Sequence, residues 1–524
     1  MNKLTLNANY KISIIYSTQL AELIDSDKKY DVIIVETSFN RYEKHIPFKF
    51  QENDYEIVNS VYRLLALAHE HLNKNGSMFV YGIPKWLPFY ASFLSKKMTF
   101  KYWIALKAQE FPETVNMLPP IHEGILLFVN NKKKFTINKV RYPHIFCSQC
   151  GDYLADWGGK KHLRHDFGPI ISDVWDDRPD FIGSDGRLST VTINRLLEIS
   201  CKEGDSVLLL QAEGEENLSI NTDSISVNRL TYPIYGRNEA KIINDHSVQS
   251  YQEKPFKKDE IYIGDCIEVM QTWTKNDGPR FDIIFADPPY NLEKKYGEIA
   301  DDLVDAEYLE WCNEWLSLSA KLLQPNGTLY VLNLPKWSYY HATLLSMELY
   351  FQRWIVWDAL SDPRGNIMPA HYSLLMYTRH PTDFTFNELA SIPKMDQCLR
   401  QKCISKRPSN SPKEPVSDIW FDVHRIKHKR DRDDHPCQLP TKLLERTILM
   451  SSNPGDLILD PFMGTGTTAI MAKKLGRHFA GIDIDQKYYA IAMSKLTDLD
   501  EYFQTNKKVD RLRKIKPTNQ PPLF

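Results

Sequence analysis

A carboxylate followed by two prolines and an aromatic, Asp287-Pro288-Pro289-Tyr290, closes the apolar run Phe281-Asp-Ile-Ile-Phe-Ala. Proline carries no N–H, so a strand entering this motif cannot extend its ladder. The Asp287 carboxylate and the neighbouring carbonyls are left as acceptors pointing outward at a strand's carboxyl end, where open α/β sheets place their ligands. A second stretch, Asp460-Pro461-Phe462-Met-Gly464-Thr465-Gly466-Thr467-Thr, follows another apolar run and leads into a helical pattern. Such a turn brings backbone N–H groups and a helix N-terminus up to a polar ligand. Phe479-Ala-Gly-Ile-Asp483 comes next, and an acid about 20 residues beyond a glycine turn can take both hydroxyls of a ribose. A lone glycine turn is only a tight turn. Strand, turn, helix, strand and acid together point to a nucleoside-type cofactor.

Two cysteine pairs form a third constellation, Cys147-Ser-Gln-Cys150-Gly151 and Cys398-Leu-Arg-Gln-Lys-Cys403. A closed structural zinc site takes four ligands, and each pair supplies two thiolates. The spacing fits one shared four-cysteine zinc site, with His144, His162 or His165 as substitute ligands, or else buried or free thiols. Cys201, Cys266, Cys312 and Cys437 read as core or incidental. Between the two acid motifs lies Asp418-Ile-Trp420-Phe-Asp-Val-His424-Arg425-Ile-Lys427-His428-Lys429-Arg430-Asp-Arg432. Its cations alternate with acids, so it fits a solvated face or an edge that tracks phosphates.

The elements around these residues alternate. Short apolar runs at 32–35, 78–81, 125–129, 207–210, 283–286, 328–332, 374–377 and 457–460 are separated by helical patterns such as 54–72 and 305–323. That rhythm predicts βαβ units and a largely parallel sheet in each half. The halves also match each other. Tyr30-Asp-Val-Ile-Ile-Val-Glu36 has the build of the run ending at Asp287, and Tyr30 and Phe281 lie 251 residues apart. Asn75-Gly76 and Asn326-Gly327, Pro84-Lys-Trp86 and Pro335-Lys-Trp337, Trp103 and Trp354, and Cys147 and Cys398 keep the same offset of 251. Several matches in order at one register indicate internal duplication. The copies differ in chemistry: the first has Glu36-Thr-Ser-Phe39 in place of Asp287-Pro-Pro-Tyr290, and Glu213 and Glu215 in place of the two glycines. Bulk and charge there would fill a ligand pocket, so one copy is expected to be active and one to have lost catalysis.

Composition narrows the class without naming a function. With 524 residues, 42% hydrophobic and 25% charged, the chain is long enough for several cores and ordinary for a soluble globular protein. The net charge of −2 excludes a wholesale polyanion binder but not a local basic groove. No apolar run of about 18 residues and no signal-like N-terminus is seen, so a cytoplasmic protein with reduced cysteines and no membrane partner is expected.

Taken together, the ordered set resembles the amino-group DNA methyltransferases of the permuted beta order, in which the catalytic motif precedes the cofactor motif. The residues that carry it are Gly264-Asp265-Cys-Ile-Glu-Val-Met, Asp282-Ile-Ile-Phe-Ala-Asp287-Pro-Pro-Tyr290-Asn, His435-Pro-Cys-Gln438-Leu-Pro, Asp460-Pro-Phe-Met-Gly464-Thr-Gly466-Thr-Thr and Gly481-Ile-Asp483-Ile-Asp. Cys437 departs from the Thr or Ala of the pattern. The resemblance implies S-adenosylmethionine as methyl donor. It places Asp483 on the ribose, Asp265 near the cofactor adenine, and Asp460, Pro461, Phe462, Gly464, Thr465, Gly466 and Thr467 along the methionine and sugar. Asp287 and Gln438 complete the cofactor-adjacent set. An aspartate at the catalytic position accompanies adenine N6 in that family, and a serine accompanies cytosine N4.

The expected chemistry is then specific. An exocyclic amine shares its lone pair with the ring and becomes nucleophilic only when acceptors favour a pyramidal nitrogen. Asp287 and the Pro288 carbonyl are such acceptors, fixed by Pro289, with Tyr290 as a stacking face for a base flipped out of a duplex. The expected architecture is α/β: two tandem Rossmann-like methyltransferase domains, the N-terminal one catalytically degenerate. Residues 1–220 form that degenerate copy, which serves target recognition or scaffolding; 221–255 connect, 256–500 are catalytic, and 501–524 are a flexible tail. The expected partner is double-stranded DNA in a restriction-modification or phage-defence setting, with cognate restriction or defence-system subunits, and the two copies form an internal pseudo-dimer. Alternatives are a cytosine-N4 or RNA adenine methyltransferase, or a non-catalytic nucleic-acid-binding module. Deletion of residues 1–220 is expected to weaken DNA binding.

Overall fold

The computed structural model describes residues 10–16, 23–24, 26–37, 46–108, 114, 116–154, 164–176, 181–183, 186–211, 254–275, 278–292, 294–296, 299–359, 365–426 and 438–499. The stretch 427–437, with the basic run, His435 and Cys437, lies outside these, as do Ser38, Phe39, His162, Glu213 and Glu215, residues 221–253 of the expected connection 221–255, and the tail.

Strands β1 (Lys11–Tyr16), β2 (Tyr30–Glu36), β3 (Leu72–Gly82), β4 (Thr99–Lys107), β5 (His122–Val129), β6 (Val174–Trp175) and β7 (Ser206–Gln211) form one sheet in the order β1-β7-β2-β3-β5-β4-β6. Helices α1 (Asp54–Glu70), α2 (Leu87–Leu94) and α3 (Thr190–Ser200) belong to this half. In the second half come β8 (Glu260–Ile263), α4 (Cys266–Thr274), β9 (Phe281–Ala286), a small hairpin of β10 (Lys294–Tyr296) and β11 (Ile299–Asp301), α5 (Asp305–Leu322), β12 (Leu323–Asn333), α6 (Pro335–Glu348), β13 (Tyr350–Asp358) and β14 (His371–Thr378). They are followed by β15 (Ile392–Pro393), α7 (Gln401–Ile404), β16 (Lys413–Glu414), β17 (Ile419–Trp420), α8 (Thr441–Ser451), β18 (Leu457–Asp460), α9 (Thr467–Lys474), β19 (His478–Asp483) and α10 (Gln486–Thr497). The second large sheet runs β17-β13-β14-β12-β9-β18-β19-β8.

Both sheets are largely parallel, with β5 and β14 the antiparallel strand in each. The central strands are apolar on both faces because helices cover both. All of Ile283, Ile284, Phe285 and Ala286 are buried, as are Ile33, Ile34 and Val35. The orders correspond strand for strand from β6 and β17 through to β7 and β18, then part. β8 pairs with β19, whereas β1, which precedes β2 as β8 precedes β9, pairs directly with β7. The strand position that carries Asp483 in one sheet is thus taken by β1 in the other.

The sheets meet across an interface with the chemistry of a core. Trp103 and Trp354 stack at 3.8 Å and 14°, both fully buried. Helices α2 and α6 face each other, with Ser92 Oγ 3.0 Å from Thr343 Oγ1. Asp173 Oδ1 accepts from the Ala370 and His371 amides at 2.7 and 3.0 Å. In return, Asp418 accepts from the Ile121 amide at 2.8 Å and meets His122 Nδ1 at 2.7 Å. The exchange is reciprocal, as in an interface built on a two-fold relation.

Candidate functional site

Four acids converge because four adjacent strands run parallel and stop together. Strands β9, β18, β19 and β8 are neighbours in register, with Leu459 opposite Ile284, Asp460 opposite Gly481, and Asp483 opposite Ile263. Asp287, Asp460, Asp483 and Asp265 therefore lie at one edge, the carboxyl end of the sheet.

The glycine turn is built by backbone geometry that side chains resist. Gly464 and Gly466 have φ of 54° and 83°. A Cβ on Gly466 would stand 2.8 Å from the Ala492 Cβ of α10. The turn is tied to the sheet by Met463 N–H donating to the Ile482 carbonyl at 2.9 Å. Asp460 Oδ1 accepts from Phe462 N–H at 2.9 Å, and Asp483 takes the Gly464 amide at 2.7 Å on one oxygen and the Asp485 amide at 2.8 Å on the other. Burial pushes the Asp460 carboxyl up to about 6 and that of Asp483 up to about 7. Each carboxylate oxygen has a second lone pair, so Asp483 keeps acceptor capacity for a diol. Half-buried Phe462 lies edge-on to Trp311 and Trp315 at 5.6 and 5.1 Å, forming an aromatic wall. Asp265 caps α4, its Oδ1 accepting from the Ile267 and Glu268 amides at 2.8 and 3.3 Å, and burial raises its pKa. Thr465 and Thr467 are buried in the turn, and half-buried Gln438 precedes α8.

The Asp287 loop is held by side chains to which sequence reading gave no role at the site. Tyr308 Oη donates to the Pro289 carbonyl at 2.6 Å, and Trp337 Nε1 donates to the Tyr290 carbonyl at 2.8 Å. The direction of the Tyr308 bond is forced. The Asn333 amide donates to Tyr308 Oη at 3.0 Å and lies 3.1 Å from His341 Nε2, and burial lowers the His341 pKa to about 3, so this ring is a neutral acceptor. Among the described residues the Pro288 carbonyl receives no hydrogen bond. Tyr290 departs from its expected role as an open stacking face. Its hydroxyl donates to Asp287 Oδ1 at 2.5 Å, and its ring is buried, tilted against Tyr372 at 6.0 Å, because the loop turns back through Asn291 at φ 52°. Tyr372 in turn accepts from Arg425 Nη1 at 3.1 Å, so a cation sits beside the loop.

A buried ion pair fixes the neighbouring edge. Arg446 binds both oxygens of Asp422 at 2.9 and 2.6 Å, and Lys442 adds a third contact at 2.7 Å. Burial opposes ionisation of Asp422, yet the two cations win and hold its carboxyl well below the usual range.

At the matching place in the first sheet, Glu36 is buried and internally satisfied. Its Oε1 accepts from the Leu188 amide at 3.0 Å and its Oε2 from Gln211 Nε2 at 3.1 Å. The four cysteines of the two pairs also come together, all Sγ atoms within 4.8 Å of one another. His144 is turned to the His165 carbonyl at 2.9 Å and stands outside that group.

Comparison with known proteins places the chain in a family. A family model described as DNA methylase, of the N6/N4 methyltransferase type, matches residues 281–494. The chain is 34% identical over 258 residues to the type II methyltransferase M.BamHI of Bacillus amyloliquefaciens, covering 47% of this chain and 60% of that one. To the type II methyltransferase M.HpaI of Haemophilus parainfluenzae it is 36% identical over 259 residues, 48% of this chain and 79% of the relative. The chain belongs to the DNA methylase family. It is also 31% identical to the DNA adenine methyltransferase YhdJ of Escherichia coli, over 45% of this chain and 81% of that one. Among solved structures, M1.HpyAVI in complex with SAM aligns at 23% identity and a TM-score of 0.33, over 45% of this chain and 98% of that one. The chain spans 60% of M.BamHI and about four fifths of the other two curated relatives. Among the described residues no helix is long and apolar enough to cross a membrane.

Proposed function

We propose that the chain is an S-adenosylmethionine-dependent DNA methyltransferase that methylates the exocyclic N6 amine of an adenine flipped out of the duplex. The observation that carries the reading is the set of four carboxylates at one sheet edge beside an aromatic wall. A glycine turn alone also suits a dinucleotide, but the carboxylates would repel a pyrophosphate. They favour a cofactor that is cationic at its reactive end, as a sulfonium is, and aromatic faces attract the same charge. The methyl donor is S-adenosylmethionine, which supplies an electrophilic methyl when bound. Asp483 would accept from the ribose hydroxyls, and Phe462 would lie against the cofactor.

The remaining chemistry falls to the chain's own residues. Asp287 and the Pro288 carbonyl accept the two amine protons, so that the nitrogen lone pair is freed from the ring and aimed at the methyl group. Tyr308 and Trp337 hold the two carbonyls that follow, those of Pro289 and Tyr290, so the loop that carries the acceptors is fixed by the fold. As the amine is methylated it must lose a proton, and Asp287 is the adjacent base. An aspartate in this place, together with likeness to a relative named as a DNA adenine methyltransferase, supports adenine over cytosine.

Residues 256–500 carry this activity in the proposal, and residues 1–220 are a second, non-catalytic copy that helps to bind and choose the target. The reading rests on the shared strand order and on Glu36, a buried residue whose carboxylate oxygens accept from the Leu188 amide and from Gln211 inside the fold. The protein would act in the cytoplasm alongside a restriction or defence system. The test is transfer of labelled methyl groups from S-adenosylmethionine by the purified full chain to duplex DNA and to RNA. Incorporation into DNA is expected; incorporation only into RNA, or none, would refute the assignment.

A further inference from the structure

Four thiols that methyl transfer does not use meet where the two halves join. Cys147 and Cys150 come from the segment between β5 and β6, and Cys398 and Cys403 from that between β15 and β16. Cys147 Sγ lies 4.0 Å from Cys403 Sγ, and Cys150 Sγ 3.8 Å from Cys398 Sγ. A disulfide needs about 2.05 Å, so neither pair is bonded. Around a tetrahedral zinc with Zn–S of about 2.3 Å, neighbouring sulfurs stand about 3.8 Å apart, which matches these separations. We infer that Cys147, Cys150, Cys398 and Cys403 bind one Zn2+ ion in a closed structural site that clasps the two halves of the chain.

The surroundings suit an anionic sulfur cluster. The chain turns sharply after Cys147, with Gly151 at φ 68° donating to the Cys147 carbonyl at 2.9 Å, which sets Cys147 and Cys150 on one side. Amides of Gln149 and Cys398 donate to Cys147 Sγ at 3.4 and 3.3 Å. Arg407 reaches Cys403 Sγ at 3.3 Å, and Arg400 lies 3.6 Å from Cys150 Sγ. Four thiolates on one Zn2+ leave two negative charges, and such N–H donors offset them as outer partners of a metal site do. The two segments also touch through backbone, Ser148 N–H donating to the Asp396 carbonyl at 3.0 Å. Three of the sulfurs are buried and Cys150 is exposed, so exchange with solution starts from one side.

The full chain, purified without chelator or metal-affinity tag, should contain one zinc per molecule by elemental mass spectrometry. Cys147→Ser and Cys403→Ser should each lower that content several-fold, while Cys201→Ser, remote from the cluster, keeps it. Because either ligand variant could misfold, the wild-type protein gives a second reading. Titration with a mercurial should release the zinc as the four thiols are consumed, and cobalt substitution should produce thiolate-to-metal charge-transfer absorption. Wild-type protein that is folded yet nearly zinc-free, or that holds stoichiometric iron instead, would overturn the assignment. So would cobalt bound without charge-transfer absorption.

Discussion

Asp287 and Asp483 are both carboxylates at strand ends, but their settings assign them different work. Asp287 lies between a Pro288 carbonyl that receives no hydrogen bond from the described residues and a tyrosine hydroxyl, so Asp287→Ala removes one of two acceptors that a reacting amine needs. A loss of about 10²–10³-fold or more in methyl transfer is expected from removing such a group, with S-adenosylmethionine binding measured by calorimetry little changed. Asp483→Ala should do the reverse, weakening cofactor binding by about 1.5–3 kcal/mol, the worth of hydrogen bonds to a charged acceptor. Its pH dependence has a definite sign. Burial raises the Asp483 carboxyl to about 7, and ribose hydroxyls favour the ionised form. Cofactor affinity should therefore fall as pH drops below about 7 and level off above it, a trend that calorimetry across pH would record and that Asp483→Asn should lose.

The turn between β18 and α9 shows what a single element demands. Gly466 combines a left-handed backbone with a Cβ position already taken by Ala492. Gly466→Ala should therefore cost at least the ~1–2 kcal/mol of the left-handed conformation, seen as a lower melting temperature and weaker cofactor binding. This turn, the Asp287 strand and the Asp483 strand were legible in the sequence because each is a local pattern: an apolar run, then a residue type that only one backbone shape accepts. The supports of the Asp287 loop were not. Tyr308, Asn333 and His341 sit on α5, β12 and α6, and their partnership is a product of packing that no local spacing encodes. Strands β4 and β13 were missed for a related reason. They were not among the apolar runs read from the sequence, and their Trp103 and Trp354 meet only at the junction between the sheets. Trp103 and Trp354 were noted only as matching landmarks, and in the fold they are one stacked pair. Trp354→Ala should destabilise by about 3–5 kcal/mol, as loss of a fully buried tryptophan does, read by denaturant unfolding.

At the scale of the whole molecule, the first half is part of the second half's core. One continuous cluster of buried side chains includes Phe48, Trp103 and Phe128 together with Tyr339, Trp354 and Leu375. Removing residues 1–220 would expose that surface, so deletion alone cannot separate target binding from folding, and point changes serve better. Asp173 gives one at the junction. Burial raises its carboxyl to about 7, above the unfolded value of about 3.9, so the folded state holds the extra proton between these values. Stability should fall as pH rises through that window. Asp173→Asn retains the oxygen that accepts both amides and should remove the pH trend, whereas Asp173→Ala leaves two buried amides unpaired at about 1–3 kcal/mol each. Unfolding curves of the three proteins at several pH values check this. The central claim concerns the base that is modified. DNA from a host lacking N6-methyladenine, expressing either the full chain or its Asp287→Ala variant, should be digested to nucleosides and examined by mass spectrometry. N6-methyladenine should appear with the wild-type chain and be absent with the variant. N4-methylcytosine as the new base, no new base, or equal N6-methyladenine from both proteins would contradict the account.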